Sequence, residues 1–269
     1  MTQPKTSNNV NTNQTVRLSV QISLNGLSFL GLSNNGETTF FSAYEYATTT
    51  TPEDILEELK KEIQKHALDK LHEVSIVYAT PYATVVPTSL FDEAKASEYL
   101  KFNTKILVND FVAFDHLEHH QLTVVHVPFV NINNYIFEHF GDFQFFHCKG
   151  VLLNYILNKE KYSIEPKIYL HIIDGLFECI VIKNGKLALC NSYPYKTPED
   201  LAYFTLFCFE QLKLDPNKAQ TILLGSIEDK DEYFEILYTY IRNISFHTHD
   251  LPSIDDEAPH RHILHKILS

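Results

Sequence analysis

The sequence predicts an α/β protein built from two similar halves, each a mixed β-sheet with helices on both faces. Tight-turn signals ten residues apart occur twice, as Asn25-Gly26 with Asn35-Gly36 and as Asp174-Gly175 with Asn184-Gly185. Both turns recur at an offset of 149 residues, and each pair precedes a Thr-Pro-Glu-Asp sequence, at Thr51 and at Thr197. Matched order and spacing indicate an internal duplication.

The paired turns predict a three-stranded antiparallel meander in each half. Asn-Gly and Asp-Gly favour the type I′ turn, whose two central residues both need positive φ. Counting from two-residue turns in the first half gives this expected pairing: Leu24 with Leu27, Ile22 with Phe29, Val20 with Gly31, Gly31 with Phe40 and Phe29 with Ser42. In the second half the same count sets Cys179 opposite Cys190.

Alternation along the first strands predicts how each meander is covered. The first half alternates apolar residues such as Leu18 and Val20 with polar ones such as Ser19 and Gln21, which is typical of a half-buried sheet. In the second half both faces are apolar, so we expect that sheet to be covered on both sides.

Each Thr-Pro-Glu-Asp sequence predicts the start of a helix. Threonine supplies the capping oxygen, proline suits the first helical position, and the acids meet the positive end of the helix dipole. Apolar residues follow at helical spacing in both copies: Ile55, Leu56, Leu59 and Ile63, and then Leu201, Phe204, Leu206, Phe207 and Phe209.

The remaining patterns alternate strands and helices. We expect strands at 73–79, 82–86, 122–127, 142–147, 221–224 and 244–247, and helices at 92–101, 131–140, 149–159, 231–242 and around 263–268. The resulting domain prediction is a disordered leader at 1–15, a first domain at 16–160 with an insertion at about 80–121, and a second domain at 161–269.

Composition limits the classes of partner and compartment. A net charge of −12 and a pI of about 5.6 argue against nucleic-acid binding. No run of about 18 apolar residues occurs, so no membrane insertion is expected. Cys148, Cys179, Cys190 and Cys208 form no CxxC pair and predict reduced, buried thiols in a cytoplasmic protein.

One further stretch resembles a known family. It runs Val86-Pro87-Thr88-Ser89-Leu90-Phe91-Asp92-Glu93 and leads to Tyr99-Leu100-Lys101-Phe102-Asn103. With the two βββαβαβ halves, it is similar to an uncharacterised bacterial family with the actin-like ATPase fold, a duplicated ribonuclease H-like fold. The plan also resembles the actin-like proteins of pilus assembly and type II secretion. The fold is shared with sugar kinases and Hsp70 chaperones.

This resemblance implies where a nucleotide-binding site would lie, and the residues at those positions can be compared with the residues that such a site needs. Actin-like ATPases bind phosphates with longer Asp-x-Gly loops between the first two strands of each half, and Mg²⁺ needs nearby carboxylates. The matching positions here are Asn25 and Gly26, Asp174 and Gly175, and the adenosine-loop positions Gly225 and Ser226. No carboxylate occurs from 16 to 35. We interpret these six residues as a vestigial nucleotide cleft, with no required cofactor; residual ATP and Mg²⁺ binding is the alternative.

Other chemistries have weaker signals. The first strand lacks the carboxylate that a two-metal nuclease needs, and no Gly-x-Ser-x-Gly or Cys–His signature indicates a nucleophile. The histidine-rich segments around His116, His247 and His260 lack the companion ligands of a metal site, so no metal is expected. Tyr193-Pro194-Tyr195 is a candidate surface for a protein partner.

The sequence therefore predicts a pseudo-ATPase that acts as a binding or assembly scaffold for protein partners not identified by the sequence. Two alternatives stay open. One is a nucleotide-binding ATPase or kinase with an atypical, degenerate phosphate site, and the other is a ligand-binding module that uses the cleft without phosphate chemistry.

Overall fold

The computed structural model describes residues 5–6, 15–46, 49–68, 71–101, 104, 110–248, 251–254 and 258–269. Contacts divide the chain into two compact units. The first contains the described residues up to Val151 together with 252–254 and 264–269, and the second contains the described residues of 152–251 and 257–263. The division falls inside a helix, whereas the sequence places the domain boundary at 160/161.

The first unit contains a six-stranded sheet and a separate three-stranded one, among the described residues. Its strands are β1 (Lys5–Thr6), β2 (Arg17–Ser23), β3 (Gly26–Leu32), β4 (Thr38–Glu45), β5 (Glu73–Ala79), β6 (Ala83–Pro87), β7 (Ala113–Leu117), β8 (Leu122–His126) and β9 (Gln144–His147). The large sheet has the order β1-β4-β3-β2-β5-β9, in which β2, β3 and β4 are antiparallel and β2, β5 and β9 are parallel.

The α-helices among the described residues are α1 (Pro52–Lys65), α2 (Ala96–Leu100), α3 (Val130–Phe140), α4 (Cys148–Lys159), α5 (Pro198–Gln211), α6 (Glu232–Tyr240) and α7 (Ile263–Leu268). Thr51 and Thr197 cap α1 and α5 as predicted, each accepting from the backbone N–H three residues later. At α5 the Asp200 side chain also accepts from the Thr197 N–H, which completes a capping box.

The expected register of the first hairpin is wrong by two residues. Ile22 pairs with Leu27, and Val20 pairs with Phe29. Neither Asn25 nor Gly26 has positive φ, so the turn is not type I′ and its centre lies one residue earlier than the Asn-Gly signal predicts. The β3–β4 register is as expected, with Gly31 opposite Phe40 and Phe29 opposite Ser42, although only Gly36 of the Asn35-Gly36 pair has positive φ.

Both faces of this sheet are covered, which corrects the half-buried prediction. One face packs Leu18, Val20, Ile22 and Phe29 against Ile55 and Leu59 of α1 and Ile132 and Ile136 of α3. On the other face Leu30, Leu32 and Phe41 pack with Ile254, and the buried Ser19 and Ser28 contact His265 of α7. Serine residues on a strand predict a solvent-exposed face, but here His265, which is distant in sequence, forms the hydrogen bonds with both serines.

The inserted part is larger than predicted. Strands β6, β8 and β7 form their own antiparallel sheet, so the strand at Leu122–His126 belongs to the insertion and not to the large sheet. Between β6 and α2, the Tyr99 hydroxyl donates to Leu90 O at 2.7 Å and accepts from Asp92 N at 2.9 Å. Tyr99 therefore holds together the stretch on which the family resemblance rests; Phe102 and Asn103 lie outside the described residues.

Three residues of the predicted leader lie in the described part of the chain, Lys5, Thr6 and Thr15. Lys5–Thr6 pair antiparallel with Ser42 and Ala43 of β4. Thr15 is buried, and its hydroxyl lies 2.6 Å from that of Thr39. The other residues of the leader lie outside the described residues.

The second unit has the strands β10 (Lys167–Ile173), β11 (Leu176–Lys183), β12 (Lys186–Pro194), β13 (Gln220–Gly225) and β14 (Ile244–Phe246), in the order β12-β11-β10-β13-β14. The first three are antiparallel, and β13 and β14 continue in parallel. Its core packs Ile168, Leu170 and Ile172 against Leu201 and Phe209 of α5 and Leu237 of α6.

The Asn184-Gly185 turn is the predicted type I′ turn, because both residues have positive φ. A register shift between Val181 and Ile182 then moves the pairing by one residue, so Cys179 faces Asn191 and Cys190 faces Ile180. The predicted Cys179–Cys190 pair is therefore wrong: a bulge inserts one residue and cannot be counted from the turn.

Candidate functional site

The first predicted phosphate-binding element is the turn between β2 and β3. Its carbonyl groups bind the chain's own backbone: Leu24 O accepts from Thr50 N and Asn25 O accepts from Tyr46 N, both at 2.8 Å. The Ser23 hydroxyl donates to Gly26 O at 3.1 Å. The turn is thus tied down by its own unit, and it carries no carboxylate that could bind a metal ion.

The second element is the two-residue turn of Asp174 and Gly175 between β10 and β11. Gly175 has φ +74°, and its carbonyl accepts from Tyr195 N at 3.2 Å. The buried Tyr195 hydroxyl donates to Ile173 O at 2.9 Å. Burial, and to a smaller extent the charge of Asp174, raise the pKa of Tyr195, so this tyrosine stays neutral. Its hydroxyl and its backbone N–H both bind carbonyl groups at the turn. Tyr195 is therefore structural, which corrects its prediction as part of a partner surface.

The third element, Gly225 and Ser226, follows β13. Gly225 has φ +88°, and a Cβ there would lie 2.1 Å from Ile172 O. Gly225 N donates to His260 O, and Ser226 N donates to Ile172 O, both at 2.8 Å. Both amides that could reach a nucleotide are thus bound to backbone carbonyls of the same unit. Glycine is required at position 225 because the backbone of β10 at Ile172 leaves no room for a Cβ atom.

The structure brings two of these elements together. Ile172 pairs in parallel with Gly225, so Asp174 and Gly175 follow β10 at the same edge of the sheet where Ser226 follows β13. This is the edge at which open α/β sheets bind ligands. Asn25 and Gly26 lie at the equivalent end of β2, in the first unit.

The sequence analysis missed a buried polar cluster in the first unit. It consists of Asp115 on β7, His126 on β8, and Thr80 and His147 at the ends of β5 and β9. His126 Nε2 lies 3.3 Å from Asp115 Oδ2, and His147 Nε2 lies 3.0 Å from Thr80 O. His147 Nδ1 accepts from Lys149 N at 3.2 Å, which leaves Nε2 protonated to donate to Thr80.

Burial keeps His147 of this cluster neutral. Burial lowers the pKa of His147 well below its usual range, and the neighbouring His126 and Lys149 lower it further. His147 therefore stays neutral and acts as a hydrogen-bonded link between two strands and the start of α4. The cluster could not be found by spacing, since its members are separated by up to 67 residues.

A cavity of about 550 Å³ opens in the first unit beside the starts of α1 and α3. Its lining includes Pro52, Glu53, Tyr82, Phe111 and Asn131. The volume lies in the range of small-molecule sites. None of the six residues predicted for nucleotide binding lines this cavity.

Three of the described histidines have structural partners in the fold. His265 lies between Ser19 and Ser28, His247 Nε2 lies 3.0 Å from the Tyr155 hydroxyl, and His260 Nε2 lies 2.7 Å from Ile227 O. Within the described ranges no group of three or more His, Cys, Asp or Glu is arranged to hold a metal ion. His249, Asp255 and Asp256 lie outside those ranges. All four cysteines are described and form no disulfide bond; Cys190 is half-buried, although burial was predicted.

The two mixed sheets and their helices define a protein with the actin-like ATPase fold, as the sequence predicts. The chain is similar to a Bacteroides thetaiotaomicron protein described as having an actin-like ATPase fold and unknown function. That likeness covers 95% of both chains, with a TM-score of 0.79 and 20% identity. The chain belongs to the family described as "Protein of unknown function (DUF3822)", whose sequence profile matches residues 5–244. The predicted family resemblance is thereby confirmed.

Two further solved structures share the fold at lower identity. One is described as the PilM–PilN type IV pilus biogenesis complex, with a TM-score of 0.58, 12% identity, and coverage of 87% of this chain and 88% of that one. The other is the ethanolamine utilization protein EutJ from Carboxydothermus hydrogenoformans, with a TM-score of 0.50, 7% identity, and coverage of 93% and 87%. No curated protein sequence matches the chain. Within the described residues no helix combines the length and apolar character needed to cross a bilayer.

Proposed function

We propose that this chain is a non-catalytic actin-like protein, a pseudo-ATPase that acts as a binding or assembly scaffold for protein partners. One observation carries the proposal: the amides of Gly225 and Ser226 are both bound to backbone carbonyls, of His260 and Ile172. Gly225 and Ser226 occupy the adenosine-loop positions, and amides already paired within the fold do not supply donors to a nucleotide there. Phosphoryl transfer also depends on donors aimed at the phosphates and on carboxylates that hold Mg²⁺.

The two hairpin turns support the same proposal. The turn after β2 has no carboxylate, and its Leu24 and Asn25 carbonyls are held by Thr50 and Tyr46. A turn of this length offers few amides to surround a phosphate chain. Asp174 is the single acid at the three predicted positions.

The scaffold role is inferred from the kind of neighbour that shares the fold. A structure similar over most of both chains is a complex between two proteins of pilus biogenesis. From that neighbour we take only the inference that this chain acts by binding another protein. The net charge of −12 supports a protein partner over a nucleic acid, and four cysteines without a disulfide support a reducing compartment such as the cytoplasm.

A nucleotide-binding ATPase or kinase with a degenerate phosphate site is the second candidate. The observation in its favour is the exposed Asp174, which shares a sheet edge with Gly225 and Ser226. A carboxylate at that edge could hold Mg²⁺ through water.

Thermal unfolding with and without millimolar Mg-ATP or Mg-ADP tests the proposal, with ATP hydrolysis measured in parallel. A nucleotide that binds the native state would raise the melting temperature. Since we propose that the site no longer binds nucleotide, we expect no rise in melting temperature and no hydrolysis. The Asp174→Asn variant is the matched control and should behave as the wild type does. A rise that Asp174→Asn removes would establish the second candidate instead.

A further inference from the structure

The second unit exposes aromatic side chains on two neighbouring helices. Tyr203 and Phe207 of α5 are 64% and 41% exposed, and Tyr238 and Tyr240 of α6 are 59% and 54% exposed. These four are among ten exposed large apolar side chains in the described part of the chain. We call them the α5–α6 face. Exposed aromatic clusters of this kind are typical of protein interaction sites.

The α5 part of this face is ordered by helical spacing. Tyr203 and Phe207 are four residues apart, and their rings stack with centroids 6.5 Å apart. Behind them, Phe204 stacks on Tyr193 at 5.1 Å, and Leu201 and Phe209 enter the core. The exposed rings thus stand on a packed layer, which limits the entropy that they would lose on binding.

The α6 part has the same construction. Tyr238 stacks on Phe234 at 5.7 Å, and Phe234 stacks on Phe246 of β14 at 5.3 Å. Tyr240 is the last residue of the helix and is about half exposed. Tyrosine with an ordered ring is among the residues that dominate binding energy at interfaces.

Charge on these helices has one sign. The segments 197–212 and 231–241 contain no Lys, Arg or His but carry six acids, and the cations nearest in sequence, Lys196, Lys213, Lys230 and Arg242, lie just outside the helix ends. Glu199, Glu210, Glu232 and Glu235 are exposed, and none of them forms an ion pair with another described residue. Glu210 lies in the last turn of α5, where the helix dipole disfavours a negative charge.

Elsewhere in the described residues, lysine side chains lie over three tyrosine rings, of which Tyr162 is exposed and Tyr135 and Tyr155 are half-buried. Lys60 lies over Tyr135, Lys159 over Tyr155 and Lys161 over Tyr162, at 5.5–5.7 Å from the ring centroids. Among the described residues no cation lies over Tyr203, Tyr238 or Tyr240. Aromatic rings with acids beside them attract Lys and Arg both through the ring face and through charge.

We propose that the α5–α6 face is a docking surface for a protein segment that carries Lys or Arg beside apolar side chains. The apolar side chains of the partner pack on Tyr203, Phe207 and Tyr238, and its cations pair with Glu210 and Glu235. This inference rests on the proposed scaffold function, because it names the surface that such a scaffold presents. It differs from the sequence-based candidate at Tyr193 and Tyr195, since Tyr195 is buried.

Selection from a displayed library of random 16-residue peptides tests the surface. We expect enrichment of peptides that combine Lys or Arg with apolar residues, followed by measurement of their Kd by fluorescence anisotropy. The variants Tyr203→Ser with Phe207→Ser, and Glu210→Lys with Glu235→Lys, should each raise the Kd by about tenfold or more. Higher salt should weaken binding to the wild type.

The matched control is Tyr162→Ser with Glu165→Lys, which changes an exposed tyrosine and an exposed acid of the same unit outside the face. Its Kd should stay within about twofold of the wild type, as expected for a site away from the contact. Unchanged circular dichroism in all variants shows that they fold. No enrichment, enriched peptides without basic residues, or a Kd insensitive to both face variants overturns the proposal.

Two further measurements distinguish a failure of the proposed docking surface from a failure of the proposed scaffold function. If the wild type dimerises in analytical ultracentrifugation and Tyr203→Ser with Phe207→Ser abolishes the dimer, a second copy occupies the face and the proposed partner is wrong. If in-cell crosslinking captures the same protein with the wild type and both face variants, the scaffold function stands and the surface is wrong. If no protein is captured by any of them, the scaffold function itself fails.

Discussion

At the scale of single residues, Gly225 shows how packing can place a glycine where sequence comparison expects a nucleotide loop. Its φ of +88° and the nearness of Ile172 O are both conditions that only glycine satisfies. A glycine after a strand is ambiguous in a sequence, because turn geometry, close packing and ligand contact all require it.

Gly225→Ala should lower the free energy of unfolding by about 2–4 kcal/mol, since backbone strain and overlap with Ile172 O add. Gly36→Ala is the matched control: its φ is +80°, but a Cβ there meets only Arg17 Nη2 at 3.5 Å. That variant should cost about 1 kcal/mol from strain alone. Urea unfolding followed by circular dichroism measures both, and equal costs would contradict the packing role of Gly225.

Glu62 is a second residue whose environment explains its ionisation. It is 2% exposed and accepts from Ser42 Oγ at 2.5 Å, from the Tyr44 hydroxyl, from Lys65 Nζ at 3.1 Å and from His66 Nε2 at 2.9 Å. Burial raises the pKa of Glu62, but the hydrogen bonds from His66, Ser42, Tyr44 and Lys65 outweigh burial and lower it from 4.5 to about 2.

Because the folded pKa of Glu62 is lowered, its contribution to stability is present above pH 4.5 and is lost as the pH falls towards 2. Glu62→Gln should therefore destabilise the protein by about 2 kcal/mol at neutral pH. The difference from wild type should shrink between about pH 4.5 and pH 2. Denaturant titrations at several pH values measure it. Glu57→Gln, an exposed acid on the same helix, should show no such pH-dependent difference, and an identical profile for both variants would refute the expectation.

At the scale of secondary-structure elements, α7 covers the sheet face that the sequence leaves polar. His265 on this helix is fully buried, with Nδ1 2.8 Å from Ser19 Oγ and Nε2 2.8 Å from Ser28 Oγ. Burial lowers the pKa of His265 to about 3. A neutral imidazole satisfies both hydroxyls, because each serine can donate or accept.

The α7 contact should make stability depend on pH. Since the folded pKa of His265 lies below its usual 6.5, its contribution is full above pH 6.5 and declines as the pH falls towards 3. The melting temperature of His265→Gln should fall less than that of the wild type between about pH 7 and pH 4.5, because glutamine keeps hydrogen bonds without titrating. Exposed His119→Gln is the control and should follow the wild type. If the melting temperature of His265→Gln fell with pH as much as that of the wild type, His265 would not cause the pH dependence proposed for the α7 contact.

Elements were predictable from the sequence where their cause is local. The caps at Thr51 and Thr197 and the Asn184-Gly185 turn need only neighbouring residues, and the structure confirms them. The β2–β3 register and the Cys179 pairing failed because a shifted turn and a bulge depend on packing across strands.

At the scale of the whole molecule, the chain end returns to the first unit. The described residues 252–254 and 264–269 belong to that unit, although they follow the second one in sequence. Apolar spacing around Ile263 predicts a helix that packs, but it does not identify the surface that receives the helix. Similarly, the strand at Leu122–His126 is clear in the sequence, yet only tertiary contacts assign it to the small sheet.

Removing residues 264–269, the part of α7 that belongs to the first unit, should expose Ser19, Ser28 and the ring of Phe41, whose centroid lies 6.1 Å from that of His265. We expect faster backbone hydrogen exchange in β2 and β3, with β10 and β11 unchanged, because the lost contacts belong to one unit. Mass spectrometry of peptides from both units measures this. Equal acceleration in both units, or none in β2 and β3, would contradict the covering role of α7.

The sequence by itself determined the α/β class, most of the strands and helices and the two helix caps, because these follow from periodicity and local turn chemistry; the strand at Ala113–Leu117 was not predicted. The sequence also carried the resemblance to the actin-like family, in the stretch from Val86 to Asn103 and in the two similar halves. Only the tertiary structure decided that the amides of Gly225 and Ser226 are already bound, that Ser19 and Ser28 face a buried histidine, and that four aromatic rings share two neighbouring acidic helices. Each of these depends on residues far apart in the chain, and contact at that distance is set by how the elements pack.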